Sequence, residues 1–238
     1  MDLPDHVHAL PLSIERDGRE LTFHPSAVET DRGLLLLDAG MPFTVGALAD
    51  RLDEAGFALA DVATLLVTHQ DLDHVGGASA VVDHSDALVV AHETDAPVID
   101  GREAPRVPGG GDGDGEDAGD DEGDGVDRAP PVPVDVELGG PATIRTRAGP
   151  ARVVPTPGHT PGHVSVYLPE SGTLLAADAL TAQGGELHGP RPDVTEDVET
   201  GLASVARLAD LDVERVLCYH GGLVAADAGR LAEIAGED

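Results

Sequence analysis

Apolar and polar positions along this chain fall into short alternating blocks. Residues 10–14 and 34–37 are apolar runs of strand length, and residues 43–55 carry a helical spacing that begins near Pro42. Val62-Ala63-Thr64-Leu65-Leu66-Val67 reads as a buried strand, and Gly76-Gly77 before Ala78-Ser79-Ala80-Val81-Val82 as a turn into a helix. A strand over 87–91 and a short helix over 92–99 follow. Beyond Pro133 the pattern is strand-rich, with runs at 134–138, 142–147, 151–155, 163–168 and 173–177. Val198, Leu202, Val205 and Leu208 mark a helix over 194–209, 213–217 is the last strand, and 225–235 the last helix. Strands followed by helices in each half predict an α/β chain whose helices cover both faces of a central sheet pair.

Composition changes this picture in two places. A chain of 238 residues is long enough for a sizeable core and is read as one domain over 1–238. Residues 101–133 break the pattern: 109–127 are nearly all Gly, Asp and Glu, which predicts a disordered acidic insertion. Asp112-Gly113-Asp114-Gly115-Glu116 invites a calcium reading, but Asp117 and Gly123 stand where an EF-hand loop needs Gly and Glu, so a solvated loop is expected. With aromatics at only 2%, the core has to be built from Ala, Val and Leu.

The formal charge of −31 comes with 14 basic residues that are all Arg. An Asp-rich surface without Lys stays hydrated where salt screens charge, and repels itself in dilute salt. The composition resembles that of halophilic archaeal cytoplasmic proteins, and the fold is expected to loosen at low salt. Such charge disfavours nucleic acid and anionic membranes as partners. Residues 1–8 carry no basic segment followed by an apolar one, and no apolar stretch reaches membrane-spanning length, so a cytoplasmic location is expected. The single cysteine, Cys218, excludes an intrachain disulfide and a Cys-based zinc site, and reads as a buried strand residue.

Candidate chemistry sits at strand ends. Thr68-His69-Gln70-Asp71-Leu72-Asp73-His74-Val75-Gly76-Gly77 puts four metal-capable side chains within six positions, directly after the apolar run ending at Val67. Pro157-Gly158-His159-Thr160-Pro161-Gly162-His163 forms a rigid turn between two strands. Leu174-Leu175-Ala176-Ala177-Asp178 ends a strand in a carboxylate, and Val216-Leu217-Cys218-Tyr219-His220-Gly221-Gly222 ends another in His.

Taken in order, Asp38 in Leu36-Leu37-Asp38-Ala39-Gly40, the His69–His74 loop, His159, Asp178 and His220 resemble the metallo-β-lactamase superfamily, from about Leu34 to Gly222. The resemblance implies a four-layer αββα sandwich with its metal site at one edge. It implies two divalent metal ions, zinc first, with iron or manganese as alternatives. His69, Asp71 and His159 would hold one ion, Asp73, His74 and His220 the other, and Asp178 would bridge them. Asp38 would orient a ligand from behind, and His163 would be structural. For His6, His8, His24, His84, His92 and His188 a surface or packing role is expected, with His188 on the family's substrate side.

The family's loop is usually His-x-His-x-Asp-His, and Asp71 stands here for the second His. An anionic, harder ligand is expected to make the first site more negative and less suited to zinc. The implied activity is metal-dependent hydrolysis, in which a hydroxide bridging the metals attacks an ester, thioester, lactone or phosphoester. Asp178 and Asp73 would be the catalytic residues, with Asp73 able to accept or shuttle a proton beside its role as a ligand. One alternative is iron-dependent redox chemistry, since flavodiiron-type members carry a carboxylate at the position of Asp71 and sulfur dioxygenases share the scaffold; no flavodoxin-like segment follows, which argues against the former. The other is a binding protein with a degenerate site, against which the full ligand complement argues.

Overall fold

The computed structural model of the chain describes residues 2–16, 18–106 and 128–236. Its first half contains β1 (Val7–Ala9), β2 (Leu12–Arg16), β3 (Arg19–Phe23), β4 (Ser26–Thr30), β5 (Gly33–Leu37), α1 (Val45–Glu54), β6 (Val62–Leu66), α2 (Leu72–Val75), α3 (Ala78–Asp83), β7 (Leu88–His92), α4 (Ala96–Ile99) and β8 (Val136–Leu138). The second half adds β9 (Ala142–Thr146), β10 (Gly149–Pro155), β11 (Val164–Leu168), β12 (Thr173–Ala177), β13 (Thr181–Gln183), β14 (Glu186–His188), α5 (Val198–Ala209), β15 (Arg215–Cys218), β16 (Gly222–Ala225) and α6 (Ala228–Ala235).

Two six-stranded sheets form, in the orders β1-β4-β5-β6-β7-β8 and β16-β15-β12-β11-β10-β9, with β2-β3 and β13-β14 as separate hairpins. Both sheets are mixed. β5, β6, β7 and β8 run parallel, as do β12 and β15, so the carboxyl ends of β5, β6 and β7 share one edge.

Leu34-Leu35-Leu36-Leu37 shows why a continuous apolar run is needed. Side chains alternate across a strand, so a run is buried throughout only when both faces are covered. Leu35 and Leu37 point into the space between the sheets, with Leu66 and Val90 facing Val153, Val166, Leu175 and Leu217. Leu34 and Leu36 point the other way, onto Leu48 and Leu52 of α1 and Val81 of α3. In the second sheet Leu174, Ala176 and Val216 pack under Val205 and Leu208 of α5 and Leu231 of α6. Helix, sheet, sheet and helix layers thus stack as the αββα sandwich that the sequence implies.

Differences from the sequence reading lie where strands are polar or short. β3 and β4 carry Arg19, Glu20, Thr22, Ser26, Glu29 and Thr30 and offer no apolar run. β16 pairs with β15 through the Gly221-Gly222 turn, and its last residue, Ala225, is the expected start of the last helix. That helix starts at Ala228 because the Asp227 carboxylate accepts from Arg230 N, and α5 likewise starts at Val198 because Asp197 caps Thr200 N. Residues 107–127, with the calcium motif considered there, lie outside the described residues. At the two described ends of the 101–133 stretch, Val132 is buried and bonds to Ile99 O, and Arg102 pairs with Asp100 and Glu137. Cys218 is buried at the end of β15. Among the described residues no helix is long and apolar enough to cross a membrane.

Candidate metal centre

Strand ends deliver most of the cluster, and Asp73 and His74 follow on α2. β5 leads into Asp38, β6 into Thr68 and His69, β10 into the His159 turn, β12 into Asp178 and β15 into His220. Two of these exits use left-handed backbone at non-glycine residues, Asp38 at φ 62° and Ala177 at φ 48°, the latter where the β12–β15 register shifts. Such a conformation costs roughly 1–2 kcal/mol per residue. It persists because the surrounding sheet over-determines it, and it places the Asp38 and Asp178 carboxylates at the cluster. Gly158 answers a closer constraint: at φ +136° its Cβ would lie 2.3 Å from Gly201 N, so α5 can press against the turn that carries His159.

All seven residues singled out as ligands converge. Possible ligand atoms lie within 4.8 Å of one another in each of three overlapping groups: His69, Asp71 and His159; His69, His74 and Asp178; and Asp73, His74 and His220. Asp178 reaches both halves, with its carboxylate 3.3 Å from His74 Nε2, 3.6 Å from His159 Nε2 and 3.2 Å from His220 Nε2. Asp71 Oδ2 is 3.0 Å from His159 Nε2 and 3.6 Å from His69 Nε2, and Asp73 Oδ2 is 3.3 Å from His220 Nε2.

The donor atoms fit a cation. Among the described residues, His69 Nε2, His74 Nε2, Asp178 Oδ1 and Arg215 Nε are the buried side-chain polar atoms without a hydrogen-bond partner. Three of these four meet in the cluster. A buried polar atom left unpaired costs about 1–3 kcal/mol, so three together mark a place shaped for another group. Two imidazole lone pairs and a carboxylate oxygen suit a divalent metal ion.

Hydrogen bonds behind the cluster aim these atoms. Asp38 accepts from Thr68 N through Oδ1 and from Thr68 Oγ1 and His74 Nδ1 through Oδ2, each at 2.8 Å. Thr68 Oγ1, its proton committed to Asp38, accepts from His69 Nδ1 at 3.1 Å. One carboxylate therefore holds the Nδ1 proton of both His69 and His74 and leaves both Nε2 atoms facing the cluster. His163 does the opposite. Its Nε2 accepts from Asp178 N at 3.1 Å, so its Nδ1 carries the proton and donates to Thr156 Oγ1 at 2.8 Å. That lone pair is spent on holding Asp178, which gives His163 a structural role.

The electrostatics follow from burial and neighbours. Burial opposes charging of His74, yet Asp38, Asp178 and Asp73 hold its pKa well above the ordinary value. Burial likewise opposes charging of His220, and Asp178 and Asp73 bring it up to about 9. Asp178, despite the burial penalty, is held well below the usual carboxylate range by His74 and His220. Asp71 is depressed as well, with burial outweighed by His159, His69 and Arg106. Burial, followed by His69 and His159, pushes His163 well below its ordinary value, in keeping with a neutral ring.

Several contributors carry no signal in a linear pattern. Asp95, buried after β7, accepts from Gln70 N at 3.1 Å, Thr160 Oγ1 at 2.7 Å and Gly162 N at 2.9 Å, tying the His69 loop to the His159 turn. Tyr219 stacks on His74 with ring centroids 3.7 Å apart and donates its hydroxyl to Asp73 O. Arg106 grips Asp71 with Nε and Nη2, at 2.9 and 2.5 Å. Arg106, in the 101–133 stretch, thus offsets the negative charge that Asp71 brings.

A cleft of about 1550 Å³ opens over the cluster. Leu21 and Phe23 of the β2-β3 hairpin and Met41 give it apolar wall, and Asp71, Asp73, His159, Asp178 and His220 lie among its lining. His24 and His188 also line it, the latter at the end of β14, whereas His6, His8, His84 and His92 do not.

Comparison with known proteins places this geometry. The chain is 29% identical over 211 residues to the probable metallo-hydrolase YflN of Bacillus subtilis, covering 79% of this chain and 75% of that protein. It is 30% identical over 182 residues to a hydroxyacylglutathione hydrolase of Synechococcus sp. (strain JA-3-3Ab), covering 75% of this chain but only 56% of that enzyme. Among solved structures, a metallo-beta-lactamase family protein from Thermus thermophilus superposes with a TM-score of 0.74 at 25% identity, over 99% of this chain and 80% of that one. The family model of the metallo-beta-lactamase superfamily matches residues 26–220, a span that includes Asp38 and every residue of the cluster, and the chain belongs to that superfamily.

Proposed function

We propose that this protein is a metal-dependent hydrolase of a small-molecule ester, thioester, lactone or phosphoester. The observation that carries the reading is the convergence of His69 Nε2, His74 Nε2 and Asp178 Oδ1, all buried and without a hydrogen-bond partner, at a cluster that lines an open cleft. Its relatives' names, probable metallo-hydrolase and hydroxyacylglutathione hydrolase, support the reaction class. His69, Asp71 and His159 would hold one divalent ion and Asp73, His74 and His220 a second, with Asp178 shared between them and zinc as the first candidate. Bound ions of this kind supply an acidified water and Lewis-acid stabilisation of a developing oxyanion.

The chain's own residues supply the rest. Asp38 and Thr68 keep the His69 and His74 tautomers correct, and His163 holds Asp178 by its backbone N–H. Asp73 has its carboxylate at the cleft, 3.3 Å from His220, and its lowered pKa keeps it ionised, as a ligand must be; a carboxylate oxygen left unbound could also shuttle a proton. Apolar Leu21, Phe23 and Met41 would seat the non-reacting part of the substrate. The acidic, Lys-free composition fits work in the cytoplasm of a salt-rich cell.

Asp178→Asn tests the reading. Hydrolysis in a screen of esters, thioesters, lactones and phosphodiesters should be lost and metal content should fall, with the fold retained by circular dichroism. Full activity in that variant would reject the assignment. The carboxylate of Asp71 favours a second reading, iron-dependent redox chemistry. Emission spectroscopy on protein purified without added metal separates the two, since that reading requires iron.

A further inference from the structure

Asp71 is where this chain departs from the usual loop of its family, and the guanidinium of Arg106 is fixed against it. Nε and Nη2 pair with Oδ1 and Oδ2 at 2.9 and 2.5 Å, and Nη1 donates to Val194 O at 3.0 Å. Nη2 also lies 3.2 Å from His159 Nε2. Both side chains are largely buried, 14% exposed for Arg106 and 16% for Asp71, so bulk salt screens the pair weakly.

A carboxylate offers about four lone-pair positions, of which a two-pronged guanidinium takes one on each oxygen. Of the remaining positions, one on Oδ2 faces His159 Nε2 at 3.0 Å in a hydrogen bond that a bound ion would replace, and Oδ2 lies 3.6 Å from His69 Nε2. The charges then balance. Replacing a neutral imidazole by a carboxylate adds one negative charge to the site, and an Arg that stays protonated at any working pH adds one positive charge beside it.

Resting on the reading of Asp71 as a metal ligand, we infer that Asp71 and Arg106 act as one unit in place of an imidazole. Asp71 supplies the ligand atom. Arg106 is a positioning residue that holds the carboxylate and restores the charge of the first site to that of an all-imidazole one. The unit explains how a chain can lose a His from the first site without making that site anionic.

The test is a double-mutant cycle read by metal binding rather than turnover. Wild type, Asp71→His, Arg106→Met and the double variant are each equilibrated with cobalt, with bound metal per chain measured by emission spectroscopy and affinity by competition with a chelator. Circular dichroism confirms that each variant folds. In Asp71→His the guanidinium faces an imidazole and a cation with no carboxylate between them, so first-site affinity should fall roughly 10–100-fold. Removing the cation as well, in the double variant, should return it to within about threefold of wild type. The same loss in both Arg106 backgrounds, or none in either, overturns the inference. So does a wild type that binds one cobalt where Arg106→Met binds two, which would mean that the guanidinium excludes the ion. A wild type binding two ions while Asp71→Ala also binds two with unchanged affinity would instead overturn the reading of Asp71 as a ligand.

Discussion

Replacing Asp38 by Asn changes one oxygen to NH2 and should invert two histidines at once. Asn Oδ1 can still accept from Thr68 N, which Asp38 Oδ1 holds at 2.8 Å. The other position, now Nδ2, has only protons to offer where Asp38 Oδ2 accepted from His74 Nδ1 and Thr68 Oγ1. His74 relieves the conflict by moving its proton to Nε2, the atom 3.3 Å from Asp178. Thr68 Oγ1 accepts from the new amide and turns its own proton toward His69 Nδ1, 3.1 Å away, which drives the His69 proton to Nε2 as well. Both ring nitrogens that face the cluster are then protonated and cannot bind a cation.

Loss of an orienting partner behind a metal ligand costs about 10–100-fold in affinity, or about 1.4–2.8 kcal/mol per ligand. His69 and His74 belong to different halves of the cluster, so both sites should weaken, and because one carboxylate serves both rings the two losses will not add. The fold should lose a smaller amount, about 1.5–3 kcal/mol for the charged hydrogen bonds, as the side chain keeps its shape. Competition with a chelator for zinc or cobalt, beside a urea melt of the metal-free protein, separates these effects. Metal affinity within about threefold of wild type at both sites would refute the tautomer reasoning.

Further predictions concern protons, loops and salt. In the metal-free protein, Asp178 and Asp73 hold His220 at about 9 against the cost of burial, and His74 is raised by Asp38, Asp178 and Asp73. Metal uptake near pH 7 should therefore release about two protons, measured by calorimetry in buffers of different ionisation heat; release of none contradicts the assignment. The sign for stability follows: His220 has a folded pKa above its unfolded value of 6.5, so its contribution to the metal-free fold is complete below 6.5 and lost as pH rises through about 9. The metal-free melting midpoint should fall across that window, and a rise there would count against the arrangement. Asp95→Ala strands the buried donors of Gln70 and Gly162 and frees the Thr160 hydroxyl, a loss of roughly 3–5 kcal/mol in urea unfolding; a loss under about 1 kcal/mol would show that the two loops do not depend on this tie. With a net charge of −31, the unfolding midpoint should rise between low and molar KCl, and an unchanged midpoint would sink the halophilic reading.

Sequence made some parts of this molecule easy to place for a physical reason. His69, Asp178 and His220 each follow an apolar strand, and a buried strand announces its own end, so the next polar residue is located at the sheet edge without knowledge of any partner. Leu34 to Leu37 were legible for the same reason, since covering both faces forces an unbroken run. β3, β4 and β16 were not, because a hairpin or strand with polar, partly exposed residues carries no such run. Asp95 and Arg106 lie 25 and 35 positions from the residues of the His69 loop that they hold, and nothing local distinguishes them from other charged loop residues.

Asp71 shows how that limit can be narrowed. A carboxylate at a position where an imidazole is usual brings a charge into a mostly buried site, and a buried charge requires a partner. In a chain with 45 acidic and 14 basic residues the candidates are few, and most sit on strands or helices of fixed placement. The Arg residues left are those on loops free to reach the strand edge, and Arg106 is one of them. A carboxylate in place of a usual imidazole thus implies a counter-charge, and here that counter-charge comes from a stretch whose composition is otherwise that of a solvated insertion.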